Sequence, residues 1–377
     1  MKYLRQLKIK GKLMRFPIYC PDATRAVVRS LDSCDLREAG IEGLILNPYH
    51  LASQPGIDVV RKFQGIKRYM NWPGFAITDS GGWQLLSLVY KDPRFGKISD
   101  KGVIFYKDSL GRNKKWLFTP EKSIQTQMDL GADIIICLDD CPSKKATRKD
   151  YETSVRRTII WAKRCKEEFQ KQLKTEETGA PPSRFQRTRP LLFAVVQGGS
   201  DKNLRAECAR ELVKIEFDGY GWGGWTAKKK GGLNINIGKF IVSQLPKDKP
   251  KFALGVGYPW DIIDCVKIGY HIFDCVLPTR DARHKRLYVW TKNPDRTNVL
   301  KTDSRKLFRF FYPDKAKHRN DQKPVDKFCD CRLCQNYSRA YLNHLFKIGD
   351  SLAWRLATIH NLRVYSRLIQ LLRKRIG

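Results

Sequence analysis

Eight short apolar runs, each ending abruptly in a polar residue or glycine, recur through the first 280 positions: Phe16–Cys20, Gly43–Asn47, Phe75–Thr78, Asp133–Asp139, Leu191–Gln197, Gly219–Gly224, Phe252–Gly257 and His271–Pro278. Runs of this length without strict alternation read as strands buried on both faces, as in a parallel sheet. Most are followed by segments with helical periodicity, such as Asp201–Lys214 and Trp260–Ile268. Strand alternating with helix eight times predicts a (β/α)₈ barrel. A doubly wound open sheet is the alternative, but no glycine-rich phosphate fingerprint follows the first strand.

Two insertions interrupt the rhythm. Gly102–Pro120 reads as a hairpin, with Val103–Tyr106 and Trp116–Phe118 flanking the turn at Ser109–Asn113. A helix over about Asp150–Lys174 runs into a polar, proline-bearing loop, Thr175–Pro190, expected to be exposed. After Pro278 comes a basic, aromatic segment, a cysteine cluster, and two helices, Ser338–Phe346 and Ser351–Ile376. The expected organisation is an α/β protein with a catalytic barrel over 1–280 and a basic, metal-pinned subdomain over 281–377.

Composition narrows the partner. Hydrophobic residues make up 42% of the 377 positions, enough for a large core. Lys and Arg number 72 against 38 acidic residues, a formal charge of +34. From Arg280 onward there are 24 Lys and Arg against 8 Asp and no Glu. Such an excess points to a polyanion, with nucleic acid favoured over a membrane surface because no strongly amphipathic basic helix stands apart. No apolar stretch approaches membrane length and the first residues carry no apolar signal core, so a cytoplasmic protein is expected.

Cys329-Asp330-Cys331-Arg332-Leu333-Cys334 holds three thiols one and two residues apart, with charged residues between them. That spacing suits a metal knuckle better than a core. With one distant imidazole it forms the Cys₃His set of a closed structural Zn²⁺ site. His360 is the candidate fourth ligand and His344 its rival. The other eight cysteines are scattered, several within apolar runs, as reduced core cysteines are.

Active sites of such barrels lie at the C-terminal strand ends. There the sequence offers Asn47 and His50, Asp79-Ser80-Gly81-Gly82, Asp139-Asp140, Gln197-Gly198-Gly199, Gly223-Gly224, Gly255, Gly257 and Asp274. A carboxylate ending an apolar strand is costly unless paired or used. Asp79, Asp139 and Asp274 all do this, so three carboxylates should converge on one mouth. Converging carboxylates suit glycosidic-bond chemistry, one as nucleophile and one as general acid and base. A third could accept from a donor edge such as guanine's N1–H and 2-amino group. Glycine pairs beside them let a flat ligand lie against the backbone.

These residues also carry a resemblance. Asp79-Ser80-Gly81-Gly82-Trp83-Gln84, Val196-Gln197-Gly198-Gly199, Phe217-Asp218-Gly219-Tyr220 with Gly223-Gly224, Leu254-Gly255-Val256-Gly257 and Phe273–Arg280 resemble the tRNA-guanine transglycosylases (queuine tRNA-ribosyltransferases), most nearly the bacterial type. The cysteine cluster, Asn336–Tyr341 and Thr358–Arg363 extend the match over nearly the whole chain. The resemblance implies a zinc-bearing barrel that exchanges a guanine in tRNA, at the anticodon wobble position, for a 7-deazaguanine base. It implies no ATP or other nucleotide cofactor, and a homodimer. It implies Asp274 as nucleophile forming a covalent aspartyl-ribosyl intermediate, and Asp79 as general acid and base. Asp139, Gln197 and Gly224 would hold the base with Ser80 and Gln84 nearby, and Arg280 and Arg283 would contact RNA. Cys329, Cys331, Cys334 and His360 would bind zinc.

Departures from the pattern are local. Trp225-Thr226-Ala227-Lys228-Lys229 stands where bacterial members have Leu-Ala/Ser-Val-Gly-Glu, so Lys229 replaces a glutamate. A lysine there opposes an aminomethyl cation on the incoming base, unless it points to solvent. The 7-aminomethyl compound on one side, and the 7-cyano compound or queuine on the other, remain open. Trp83 in place of Phe, and Leu138-Asp139-Asp140-Cys141 in place of Phe-Asp-Glu-Cys, keep chemical character. Relatives that modify DNA, and a non-catalytic RNA-binding subunit, are the competing readings; retention of all three aspartates speaks against the second.

Overall fold

A computed structural model describes residues 3–82, 88–107, 113–143, 145–177, 189–226 and 232–376. Eight parallel strands form the central sheet: β1 (Ile18–Pro21), β2 (Gly43–Leu46), β3 (Phe75–Thr78), β4 (Ile134–Ile136), β5 (Leu191–Val196), β6 (Gly219–Trp222), β7 (Lys251–Ala253) and β8 (Ile272–Cys275). Each runs beside its neighbour in chain order from β2 to β8, and β8 pairs with β1. An isolated parallel bridge between Asp22 and Ile45, with Ala23 N–H donating to Ile45 O at 2.8 Å, joins β1 to β2. The expected barrel is therefore observed, nearly closed, with strands somewhat shorter than the apolar runs.

Both strand faces are buried, which is why the runs do not alternate. Ile18, Cys20, Ile45, Phe75, Ile77, Ile134, Ile136, Phe193, Val195, Phe252 and Ile272 form the barrel's own cluster. The intervening Tyr19, Leu44, Ala76, Ile135, Leu192, Ala194 and Trp222 belong to the outer core beneath the helices. Gly219 leaves room for a neighbour: a Cβ there would lie 2.4 Å from the Phe193 ring. Ile9, Met14 and Phe16, from the antiparallel pair Gln6–Ile9 and Lys12–Arg15 and its exit, join the inner cluster and cap one end.

The insertion differs from the expected hairpin. Gly96–Ser99, Gly102–Lys107 and Asn113–Phe118 make a three-stranded antiparallel sheet. The first strand, Gly-Lys-Ile-Ser, carries almost no apolar signal and pairs through its backbone. Four of the five residues assigned to the turn (109–112), and 178–188 of the expected exposed loop, lie outside the described residues. The helix before that loop spans Arg148–Glu177.

Beyond the barrel, β9 (Leu287–Trp290) and β10 (Phe308–Phe311) pair antiparallel. Helices over Arg339–Ile348 and Ser351–Ile376 follow, close to their expected bounds. Ser338 caps the first through the Tyr341 N–H at 3.1 Å, and left-handed Gly349 ends it. The last helix packs on Leu277–Arg283, directly after β8, and buries Leu356, Ile359, Leu362, Tyr365 and Leu368 in the same core as the barrel helices. No helix among the described residues is long and apolar enough to cross a membrane.

Candidate active site and metal centre

Asp79 is the first residue after β3, held by its N–H to Leu46 O at 2.9 Å. Its carboxylate accepts from Asn47 Nδ2 at 2.7 Å and the Gly81 N–H at 2.9 Å. Next to it, Ser80 Oγ donates to Asp139 Oδ1 at 2.9 Å and itself accepts from the Gly82 N–H at 3.0 Å. Gln197, at the end of β5, donates through Nε2 to the other Asp139 oxygen at 2.6 Å. Asp274, on β8, accepts from the Gly255 N–H at 2.9 Å beyond β7. The strand ends thus bring the three carboxylates together, two of them linked through the Asp79–Ser80 step.

Two glycines are required by this packing. A Cβ at Gly82 would sit 2.4 Å from Asp139 Oδ1, and Gly224 has φ +76° with its Cβ position 3.0 Å from Gln197 Oε1. That Gln197 oxygen is buried and accepts no hydrogen bond among the described residues. A buried acceptor left unused beside a glycine-lined recess suits a ligand's donor.

Desolvation dominates the electrostatics. Burial pushes Asp79 up to about 8, against the hydrogen bonds from Gly81 and Asn47, with the charge of Asp274 adding to the rise. Burial likewise raises Asp274 to about 7, opposed by the Gly255 N–H and reinforced by Asp22. Asp139 is raised to about 6 by burial, with Gln197 and Ser80 pulling it back. Carboxyls held near neutrality can exchange protons at working pH, the property general acid–base chemistry needs.

Two residues were not singled out from the sequence. Asp22 follows β1 between the strands of Asp274 and Asn47, and its charge is felt at both Asp79 and Asp274. Arg205, wholly buried, donates to Val196 O, to Gly199 O at 2.9 Å and to Gly223 O at 3.0 Å, bracing both glycine turns. Asp140, by contrast, turns away from the recess to pair with Arg157 and Tyr90. Arg280 is exposed; Arg283 is half-buried, with Nη1 making no hydrogen bond among the described residues. His50 is pushed down to about 4 by burial and Arg25, so it stays neutral. Gln84, Trp83 and Lys229 lie outside the described residues.

The cysteine cluster is a buried group with His360: the ligand atoms of Cys329, Cys331, Cys334 and His360 all lie within 4.8 Å of one another. His360 Nδ1 stands 3.3 Å from Cys334 Sγ and 3.5 Å from Cys331 Sγ, while Nε2 meets Tyr288 O at 2.8 Å. Donating Nε2–H to that carbonyl leaves Nδ1 as a ligand lone pair. Those separations approach the ~3.6 Å edge of a tetrahedron built from zinc–sulfur and zinc–nitrogen bonds. The four residues therefore fit a tetrahedral metal, and His344 is exposed and outside the group. Asp330 pairs with Arg363 at 2.6 Å, and Arg332 reaches Asp35 at 3.2 Å, tying the knuckle to the last helix and to Ser33–Glu38.

A near-closed parallel barrel with ionisable carboxylates at its mouth, and a buried group of three cysteines and one histidine able to hold a metal ion, defines an α/β-barrel enzyme with a metal-binding group. The family model described as "Queuine tRNA-ribosyltransferase" matches residues 4–377. The queuine tRNA-ribosyltransferase of Methylacidiphilum infernorum is 38% identical over 357 residues, covering 95% of this chain and 87% of that protein. That of Caldanaerobacter subterraneus is 38% identical over 96% of this chain and 86% of its own, and a putative one from Archaeoglobus fulgidus is 34% identical over 99% and 93%. The chain belongs to the queuine tRNA-ribosyltransferase family.

Proposed function

We propose that this enzyme exchanges a guanine in tRNA, at the anticodon wobble position, for a 7-deazaguanine base. Residues 1–280 carry the chemistry and the basic 281–377 present the RNA. The target nucleoside is turned out of its stack so that C1′ meets Asp274. The Asp274 carboxylate attacks C1′, the glycosidic electron pair leaves with guanine, and Asp79 supplies the proton that guanine takes. The incoming deazaguanine gives its N9 proton to Asp79, attacks C1′ in turn, and Asp274 departs with retention. Asp139 accepts from the donor edge of the base, and Gln197 and the Gly224 backbone complete the recess. Cys329, Cys331, Cys334 and His360 would hold Zn²⁺, which supplies no chemistry and fixes the fold. The observation that carries this reading is the hydrogen-bonded set of Ser80, Asp139 and Gln197, with Asp79 held next to it by Asn47 and Gly81 and Asp274 held by Gly255.

The test is incorporation of radiolabelled guanine into tRNA or duplex DNA across a pH series. Label should enter tRNA alone. The rate should follow a bell, falling below about 7 as Asp274 takes a proton and above about 8 as Asp79 loses the one it must donate. Ionisation of Asp274 raises Asp79 further, so the limbs belong to the pair. Label in DNA, in neither polymer, or a rate rising steadily to pH 10 would each reject the assignment.

A further inference from the structure

Asp22 is a carboxylate at the barrel mouth that the exchange mechanism leaves without a task. Its place follows from strand register. Along β1 the inward residues are Ile18 and Cys20, both in the barrel's own cluster, and Asp22 continues that face just past the strand end. Along β8 the inward residue Ile272 is followed on the same face by Asp274. Asp274 pairs with Cys20, so Asp22 stands on the neighbouring strand, one inward step nearer solvent than the nucleophile. On its other side Asp22 bridges Ile45, and the next inward position there is Asn47, whose Nδ2 meets Asp79. Asp22 therefore occupies the arc between the nucleophile and the general acid.

The base recess takes the opposite arc, with Asp139 beyond β4, Gln197 beyond β5 and Gly224 beyond β6. A nucleoside with its base in that recess and C1′ at Asp274 has its ribose over β8, β1 and β2. Asp22 faces that space with one oxygen to spare. Oδ1 accepts from the Thr24 N–H at 3.1 Å and from the Thr24 hydroxyl, while Oδ2 makes no hydrogen bond or ion pair among the described residues. The residue is half-buried, so Oδ2 is open to a ligand.

A turn alone does not explain the charge, because Asn would hold Thr24 equally well. The charge also works against the site. It adds to the rise of both Asp79 and Asp274, and it stands in a mouth that must admit phosphates. Such a carboxylate is costly unless it meets a donor. An RNA backbone offers it one kind of donor, the 2′-hydroxyl, which DNA lacks.

We propose that Asp22 is a specificity residue that accepts a hydrogen bond from a substrate 2′-hydroxyl, on the exchanged nucleotide or one beside it, and so favours RNA over DNA. The proposal rests on the reading of Asp274 as the group that meets C1′ of RNA.

The experiment uses three anticodon stem-loops: all ribose, deoxyribose at the exchanged nucleotide alone, and deoxyribose at its two neighbours alone. Guanine exchange is measured on each with the unaltered full-length protein, Asp22→Ala and Asp22→Asn. In the unaltered protein one of the deoxy stem-loops should lose about ten-fold or more in kcat/KM, as a hydrogen bond to a charged acceptor requires, and which one identifies the ribose that is held. In both variants that penalty should shrink to within about three-fold, because the ribose substrate has lost its acceptor too. Asp22→Asn keeps an oxygen for Thr24 and turns an amide nitrogen to the ribose, so it guards against a loss of fold in Asp22→Ala. No penalty in the unaltered protein, or the same penalty in all three proteins, would overturn the proposal. A role through charge alone gives the second of these results, since it slows every stem-loop alike. If the unaltered protein exchanges guanine into none of them, the proposed function fails, and the affinities of the same stem-loops for the three proteins, read by anisotropy, still decide the contact.

Discussion

Asp274→Asn is expected to abolish guanine exchange, by at least about 10⁴-fold, as removal of a covalent nucleophile does. Affinity for tRNA should stay within about two-fold, because RNA contact rests mainly on phosphate-binding cations elsewhere. The substitution is nearly isosteric, and the amide oxygen can still accept from the Gly255 N–H that now meets the carboxylate at 2.9 Å. What it removes is the electron pair that attacks C1′. It also removes a carboxyl that burial already raises to about 7, so the folded protein loses a group costly to ionise. Single-turnover exchange and tRNA affinity, measured on the same preparation, check both halves. Exchange within ten-fold of the unaltered enzyme would remove Asp274 from the nucleophile's role.

The second large effect is expected at the metal knuckle. Cys331→Ser replaces one of three buried thiols with a poor ligand for a thiolate-rich site. Structural zinc contributes on the order of 10 kcal/mol in small zinc-binding peptides. Loss of even a third of that, at roughly 2–4 °C for each kcal/mol in a domain of about 150–250 residues and less in a longer chain, lowers Tm by up to about 7–13 °C. The damage should also reach the chemistry. His360 lies in the helix Ser351–Ile376, which packs on Leu277–Arg283 immediately after β8 and its Asp274. Metal analysis should give one zinc per chain in the unaltered protein and almost none in the variant, with exchange lost in step. A variant of unchanged Tm and full activity would mean the four residues are only a core cluster.

Much of this architecture was legible because parallel barrel strands bury both faces. Ile134–Ile136 and Leu191–Val196 are apolar throughout, so each stands out as an unbroken run. The carboxylates were legible for the same reason: Asp79 is a charge where the apolar run Phe75–Thr78 stops, and Asp274 is a charge set inside an otherwise apolar run. Periodicity and spacing carry less about direction. Asp140, adjacent to Asp139, looks equivalent in sequence but points to Arg157. Arg205 sits in an amphipathic helix where an arginine reads as solvent-facing, yet its guanidinium is buried under three backbone carbonyls. Asp22 lies in Pro21-Asp22-Ala23-Thr24, where its bonds to the Thr24 N–H and hydroxyl resemble an ordinary turn. Only the bridge to Ile45 reveals that this turn closes the barrel beside the carboxylates. His360 and His344 could not be separated by spacing; burial and the contact with Tyr288 O separate them.

The most direct measurement of the central claim is mass spectrometry of the enzyme quenched in acid during turnover with tRNA and then digested with protease and ribonuclease. The account predicts a ribonucleotide lacking its base, attached through C1′ to the peptide bearing Asp274, and absent when tRNA is omitted. Exchange proceeding with no such adduct, or with the adduct on another residue, would contradict it.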